Sequence, residues 1–165
     1  MITNGIYFKN FKYKKNAYKI VSILKEILKK KDSTLQSLSK NFKESYNKKI
    51  LRKFSTSKNF RIIGMGGSIL GAEAIYSFLK DKIKKNFVFI NDLDESIKSK
   101  KNQKYSNLVV SKSGETIETI VNFNLLSKKT DKNLFITENR KSYLYEIAEK
   151  LKAEIVHHHN FIGGR

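Results

Sequence analysis

Leu108-Val109-Val110-Ser111-Lys112-Ser113-Gly114-Glu115-Thr116-Ile117-Glu118-Thr119 is the stretch on which the fold of this chain turns. A short apolar run ends in hydroxyls and a glycine, and a helical spacing follows through Ile117, Ile120, Val121 and Leu125. A strand that stops at such a turn and opens a helix leaves the first N–H groups of that helix without intrahelical partners, at the positive end of its dipole. Ser111, Ser113, Thr116 and Thr119 add neutral hydroxyl donors there, and Gly114 frees the backbone at the middle of the turn. The combination suits an oxyanion such as a phosphate monoester, each charge-assisted hydrogen bond contributing about 1.5–3 kcal/mol before ordering costs. Lys112 either adds a point charge or faces solvent. Glu115 sets a condition, because a carboxylate beside a phosphate repels it and has to point away. The same hydroxyls also fit ordinary helix caps.

Outward from this loop, apolar runs recur at 60–63, 87–90, 134–136 and 155–156, with helical spacings at 68–80, 116–128 and 143–151. Short apolar runs alternating with helical segments predict an α/β fold, a parallel sheet of five strands sandwiched by helices. The first of these strands runs into Gly64-Met65-Gly66-Gly67-Ser68-Ile69-Leu70-Gly71. Its glycines allow a tight turn and close approach of backbone to a ligand, and Ser68 offers a hydroxyl near a helix start. Ile69 stands where a dinucleotide fingerprint needs its third glycine, although Asp92 sits where a ribose-binding acid would. The Gly-Lys-Ser/Thr of a nucleotide-hydrolase loop is missing. A purely structural strand-to-helix turn and one wall of a phosphate cradle both remain open on this run alone. Two such turns on one parallel sheet favour the cradle, since ligands collect beyond the C-terminal strand ends.

The first part of the chain is helical by its spacing. Ala17, Ile20, Val21, Leu24, Ile27 and Leu28 share one face, and Asp32, Ser33 or Thr34 would cap a second helix carrying Leu35, Leu38, Phe42, Tyr46 and Ile50. The polar stretch at 54–59 divides a helical segment, 1–58, from the sheet-forming domain, 59–165. A hydrophobic content of 39% over 165 residues supports a folded chain with a real core. There is no cysteine, hence no disulfide framework or thiolate chemistry. No apolar stretch is long enough to span a bilayer and the start lacks the order of a secretion signal, so a cytoplasmic protein without membrane contact is expected. The net charge of +19 raises nucleic acid as a partner. Only Arg52, Arg61, Arg140 and Arg165 among the 34 basic residues are arginine, and the lysines are scattered, so solvated faces are the expectation and nucleic acid is not.

The last nine residues are His157-His158-His159-Asn160-Phe161-Ile162-Gly163-Gly164-Arg165. On a strand, His157 and His159 share a face, but two imidazoles without a carboxylate or thiolate fall short of a metal site, and no metal or other cofactor is expected. Arg165 is either a frayed terminus or a guanidinium carried on a flexible Gly-Gly turn to stabilise charge developing in a reaction.

Together, Gly64–Gly71, Ser111–Thr119 and Asn160–Arg165 resemble the glucose-6-phosphate isomerase family of the sugar isomerase (SIS) fold group, in order and spacing across residues 60–165. The resemblance implies aldose–ketose isomerisation of glucose 6-phosphate and fructose 6-phosphate, without a metal. Carried over position by position, it implies that Gly67 and Ser68 touch substrate, and that Ser111, Lys112, Ser113 and Thr116 hold the phosphate with backbone from Gly114 and Glu115. It places Gly164 and Arg165 near the reacting carbons, Arg165 stabilising the enediolate. The family's base is a Glu and its ring-opening groups are a His and a Lys, all in segments after the Gly-Gly-Arg signature. The expectation is therefore a phosphate-binding N-terminal fragment without turnover, from an enzyme whose full-length members form homodimers. A non-catalytic SIS regulatory module and a dual glucose/mannose-phosphate isomerase are the alternatives.

Overall fold

A computed structural model describes residues 18–30, 35, 37, 39–93 and 103–163. The chain divides into two compact units, Met1–Lys40 and Asn41–Arg165. In the first, α1 (Tyr18–Lys29) carries Ile20, Val21, Leu24, Ile27 and Leu28 at helical spacing and ends on Lys29, a cation at the negative end of the dipole. Ala17, Leu38 and the Asp32–Thr34 capping candidates lie outside the described residues.

The single helix expected through Leu35 and Ile50 does not form, since residues 39–47 are turns and irregular chain. The helix of the second unit that precedes the sheet, α2 (Lys48–Phe54), starts one residue after Asn47, whose side chain accepts a hydrogen bond from Lys49 N at 2.8 Å. An Asn at this position satisfies an orphan donor of the first turn and fixes the start.

All five apolar runs become strands: β1 (Asn59–Gly64), β2 (Asn86–Ile90), β3 (Ser106–Val110), β4 (Lys132–Glu138) and β5 (Glu154–His158). They form one parallel sheet in the order β2-β1-β3-β4-β5. The connecting helices are α3 (Leu70–Leu79), α4 (Ile117–Leu126) and α5 (Tyr143–Lys150). The fold is α/β and SIS-like, a five-stranded parallel sheet flanked by helices.

Alternation along the strands divides the core into two layers. Ile63, Ile90, Val109 and Phe135 pack with Phe123 and Leu126 of α4 and Leu144 and Ala148 of α5. On the other face Phe60, Leu134 and Val156 pack with Phe54 and Ile50 of α2. Tyr76 of α3 meets the rings of Phe87 and Phe89 there, at 5.2 and 5.6 Å between centroids.

The buried side of α4 differs from the apolar spacing of its sequence. Thr119, Asn122, Phe123 and Leu126 face inward, whereas Ile117 and Leu125 are 70% and 75% exposed. Asn122 explains half of this inversion, because its Nδ2 donates to the carbonyl of Asp92 at 3.0 Å beyond the end of β2. A polar residue with a fixed partner can occupy an inward position that the hydrophobic pattern assigns to a leucine.

A buried polar row crosses the sheet near the N-terminal ends of three strands. Arg61, Asn107 and Asn133 are register partners on β1, β3 and β4. Arg61 Nη1 donates to Asn107 Oδ1 at 3.2 Å and to the Leu126 carbonyl at 2.9 Å. Its guanidinium lies 4.2 Å from the ring centroid of Tyr105 and 3.9 Å from Asp131. Asp131 accepts from Tyr105 N, Asn107 Nδ2 and Lys128 N. Burial pulls the Arg61 pKa below the usual arginine value, while the carboxylate of Asp131 and the phenol of Tyr105 oppose that shift.

Candidate functional site

The strand order reverses direction between β1 and β3. β2 lies to one side of β1, while β3, β4 and β5 follow on the other. In such sheets the helices on either side of the reversal leave opposite faces, and a crevice opens beyond the C-terminal strand ends. The two loops singled out by sequence are the ones that leave β1 and β3.

Gly64 and Val110 are register partners at the ends of these strands. A Cβ on Gly64 would lie 3.0 Å from the Val110 carbonyl oxygen, so the absence of a side chain is what lets the two strand ends close up. After Met65 the chain makes a 3₁₀ turn, Gly66–Ser68, in which Gly66 takes φ +54°, and then enters α3. Gly67 is exposed and Ser68 half-buried in that turn. No side chain caps either the turn or α3.

The second loop is cross-braced. Ser111 Oγ lies 2.9 Å from Thr116 Oγ1 and 3.5 Å from Ser113 Oγ, and it accepts from Gly114 N at 3.1 Å. Ser113 Oγ accepts from Glu115 N at 3.2 Å. Gly114 takes φ +69°, and a Cβ there would stand 2.7 Å from Ser142 Cβ and run into Ser142 Oγ. Thr116 occupies the capping position of α4, yet its hydroxyl makes no cap hydrogen bond. The hydroxyls are thus spent on one another and on the loop, leaving the N-terminus of α4 without a side-chain cap. Two uncapped helix starts thus follow the adjacent strands β1 and β3, each with backbone N–H groups that have no partner inside the helix.

Glu115 is engaged elsewhere. Its Oε1 accepts from Tyr143 N at 3.0 Å, at the start of α5, where Ser142 Oγ accepts from Tyr145 N. The carboxylate that would have repelled an anion is bound to the positive end of a neighbouring helix. Leu144 N donates to the Gly114 carbonyl at 3.1 Å and tightens the same junction.

Lys112 Nζ donates to the Asn160 carbonyl at 2.8 Å and lies 3.5 Å from Glu138. Two residues that no motif marks out complete this corner. Glu138, at the end of β4, pairs with Lys112 and also with Arg140 Nε at 3.3 Å. Arg140 Nη2 donates to the Ser113 carbonyl at 3.1 Å. A hollow of about 390 Å³ adjoins them, lined among others by Glu138, Arg140, His157, His159 and Asn160.

The three histidines do not act as a set. His157 ends up near Tyr145, His158 Nδ1 is 2.8 Å from the His159 carbonyl, and His159, beyond the end of β5, packs against Phe42 and Phe161. Among the described residues no group of three potential ligands is placed to hold a metal ion. No helix among them is long and apolar enough to cross a membrane. Gly164 and Arg165 lie outside the described residues.

Comparison with curated proteins returns one name repeatedly. Glucose-6-phosphate isomerase of Borreliella burgdorferi is 34% identical over 145 residues, covering 77% of this chain and 26% of that protein. The enzyme of Mycoplasmoides gallisepticum is 32% identical over 121 residues, or 63% of this chain and 28% of the other. That of Methanocaldococcus jannaschii is 41% identical over 80 residues, 46% and 20% of the two chains. The chain is a relative of the glucose-6-phosphate isomerases. It spans roughly a quarter of the length of these isomerases, between 20% and 28%. No protein-family model matches it.

Among solved structures, a hypothetical protein from Thermus thermophilus aligns with this isomerase relative at a TM-score of 0.58 and 19% identity, over 70% of this chain and 31% of the other. The Vibrio vulnificus NanR protein complexed with ManNAc-6P aligns with a TM-score of 0.53 and 20% identity, over 88% and 52%. At such identities these two likenesses speak to the fold alone.

Proposed function

We infer that this chain is the phosphate-holding part of a glucose-6-phosphate isomerase, serving glycolysis and gluconeogenesis in the cytoplasm. The observation that carries the reading is the pair of helix starts without a side-chain cap, following the adjacent strands β1 and β3 at the reversal of strand order, one of them preceded by the hydroxyls of Ser111, Ser113 and Thr116. Isomerase relatives at 32–41% identity supply the substrate class. In this reading the phosphate of glucose 6-phosphate or fructose 6-phosphate is held by Ser111, Lys112, Ser113 and Thr116, with the backbone of Gly114 and Glu115. Gly67 and Ser68 touch the substrate from the other wall. Gly164 and Arg165 serve the reacting carbons, Arg165 by stabilising the enediolate. The substrate is a small sugar phosphate, with no part for nucleic acid or membrane, and the whole enzyme works as a homodimer.

In this reading the 165 residues by themselves bind and do not turn over, because the Glu base and the ring-opening His and Lys of the family belong to segments that follow the Gly-Gly-Arg signature. Titration of the chain with glucose 6-phosphate, beside Ser113→Ala and Thr116→Ala, tests the binding role. Each variant is expected to lose about tenfold in affinity, and equal affinity in all three would overturn the reading. A coupled assay for fructose 6-phosphate conversion is expected to read at background. A second reading is a non-catalytic SIS sugar-phosphate module, whose fold would be the one shared with the NanR protein complexed with ManNAc-6P. Preference for an N-acetylated sugar phosphate over glucose 6-phosphate in the same titration would select it.

A further inference from the structure

We propose that Glu138 is the positioning residue of the phosphate loop, acting through Lys112 and Arg140. This rests on the proposed phosphate-holding role of Ser111–Thr116.

Glu138 is the last residue of β4, and its side chain is only 16% exposed. Its Oε1 takes Lys112 and its Oε2 takes Arg140, so one carboxylate holds both cations of the corner. Its main chain is tied into the same corner. Glu138 N donates to the Lys112 carbonyl at 3.0 Å, and Arg140 N donates to the Glu138 carbonyl at 2.9 Å. From this anchor each cation reaches a different carbonyl. Arg140 takes that of Ser113, in the middle of the hydroxyl loop, and Lys112 takes that of Asn160, in the turn after β5.

Two cations around one carboxylate leave a net positive corner beside the crevice, with the position of both charges set by the carboxylate between them. A free lysine would place its ammonium in many positions at an entropic cost on binding, whereas a lysine held by a fixed carboxylate offers its remaining donor in one. The arrangement also ties the Ser113–Gly114 segment to the turn at 159–162, which leads to Gly163. Occupancy of the phosphate loop and placement of that turn are then mechanically linked.

A positioning role and simple electrostatics predict opposite signs. Removing a negative charge near a bound dianion should tighten binding if Glu138 does nothing but repel. If Glu138 positions the cations, its removal weakens binding. The experiment is calorimetric titration of the full chain with glucose 6-phosphate and with inorganic phosphate, comparing wild type, Glu138→Gln and Glu138→Asp. The expected result is a loss of about tenfold for Glu138→Gln, with partial recovery for Glu138→Asp, which keeps the carboxylate. Tighter or unchanged binding in Glu138→Gln overturns the proposal.

Hydrogen exchange at the Gly114 and Glu115 amides, measured without ligand, gives a second readout. Exchange is expected to accelerate in Glu138→Gln, and an unchanged rate overturns the proposal whatever the ligand. Arg140→Met removes the Ser113 tether together with the Arg140–Glu138 pair and serves if Glu138→Gln does not fold; it is expected to weaken binding and speed exchange in the same loop, and wild-type behaviour in both overturns the proposal. A wild-type chain that binds neither ligand overturns the phosphate reading instead, and the exchange comparison still decides whether Glu138 holds the loop.

Discussion

Arg61 and Ser111 lie at opposite ends of the same parallel strands, and each belongs to a polar cluster inside an otherwise apolar layer. The row Arg61–Asn107–Asn133 is closed. Its guanidinium, amides and the Asp131 carboxylate are satisfied by one another, by main chain and by the Tyr105 ring. The loop at 111–116 is closed only on its inner side. Its hydroxyls bond each other, while the helix start beyond them carries no cap. A few residues of β3, roughly 13 Å of strand, separate a cluster built to hold the sheet from one built to receive something. Polarity alone does not distinguish them; internal satisfaction of donors does, together with burial, since Arg61 and Asn107 are buried while Ser113 and Thr116 are half-buried.

The largest expected effect breaks the closed cluster. Asp131→Ala leaves the Arg61 charge buried without its counter-ion and removes the acceptor for two backbone amides. Stability should fall by about 3–5 kcal/mol in urea denaturation. A loss below about 1 kcal/mol would mean that water or Tyr105 compensates, and that the row is less closed than its distances imply.

Next comes Gly114→Ala, which asks how far the open cluster depends on backbone shape. The left-handed φ and the collision with Ser142 together should cost about 2–4 kcal/mol, and glucose 6-phosphate binding should be lost with it. Retained binding at reduced stability would separate the loop's shape from its proposed role. Ser111→Ala is milder. It deletes one of two acceptors of Gly114 N, the Ser111 carbonyl remaining, and the partner of Thr116, for about 1–2 kcal/mol in a thermal melt.

The smallest effect is a control outside both clusters. The Tyr46 phenol is held above its ordinary value, first by its hydrogen bond to Glu44 and then by that residue's charge. A raised acid of this kind keeps its bond while protonated and loses it as pH rises through the folded-state value. Ultraviolet titration should find Tyr46 ionising at higher pH than in Glu44→Gln, with no detectable change in stability, since the pair faces solvent.

The sheet was legible because each strand is a short apolar run between helical spacings, a pattern that needs no knowledge of contacts. The strand order was not, because register is a property of pairs. The same divide holds at the site. Ser111–Thr116 and Gly64–Gly71 announce themselves by composition along the chain. Glu138 and Arg140 do not, because their partners Lys112 and Ser113 lie on the loop of a neighbouring strand. The helix expected at Leu35–Ile50 failed for a local reason: apolar residues at helical steps continue through a stretch that Asn47 then restarts. On α4 the difference is one of face, with Thr119 and Asn122 inside where hydrophobicity pointed to Ile117 and Leu125.

The all-parallel pairing carries a consequence for how the molecule is made. No two adjacent strands are joined by a hairpin, so every rung of the sheet waits on a distant closure. Asn59 meets Asn86 across 27 residues, and Asn107 meets Asn133 across 26, but Arg61 meets Asn107 only across 46. The β1–β3 seam is the longest of these closures, and non-local pairing is slow to form. That seam also carries the two loops of the proposed site, one leaving each of its strands. In a refolding experiment, recovery of sugar-phosphate binding should therefore track the slowest folding phase, after most of the helical signal has returned.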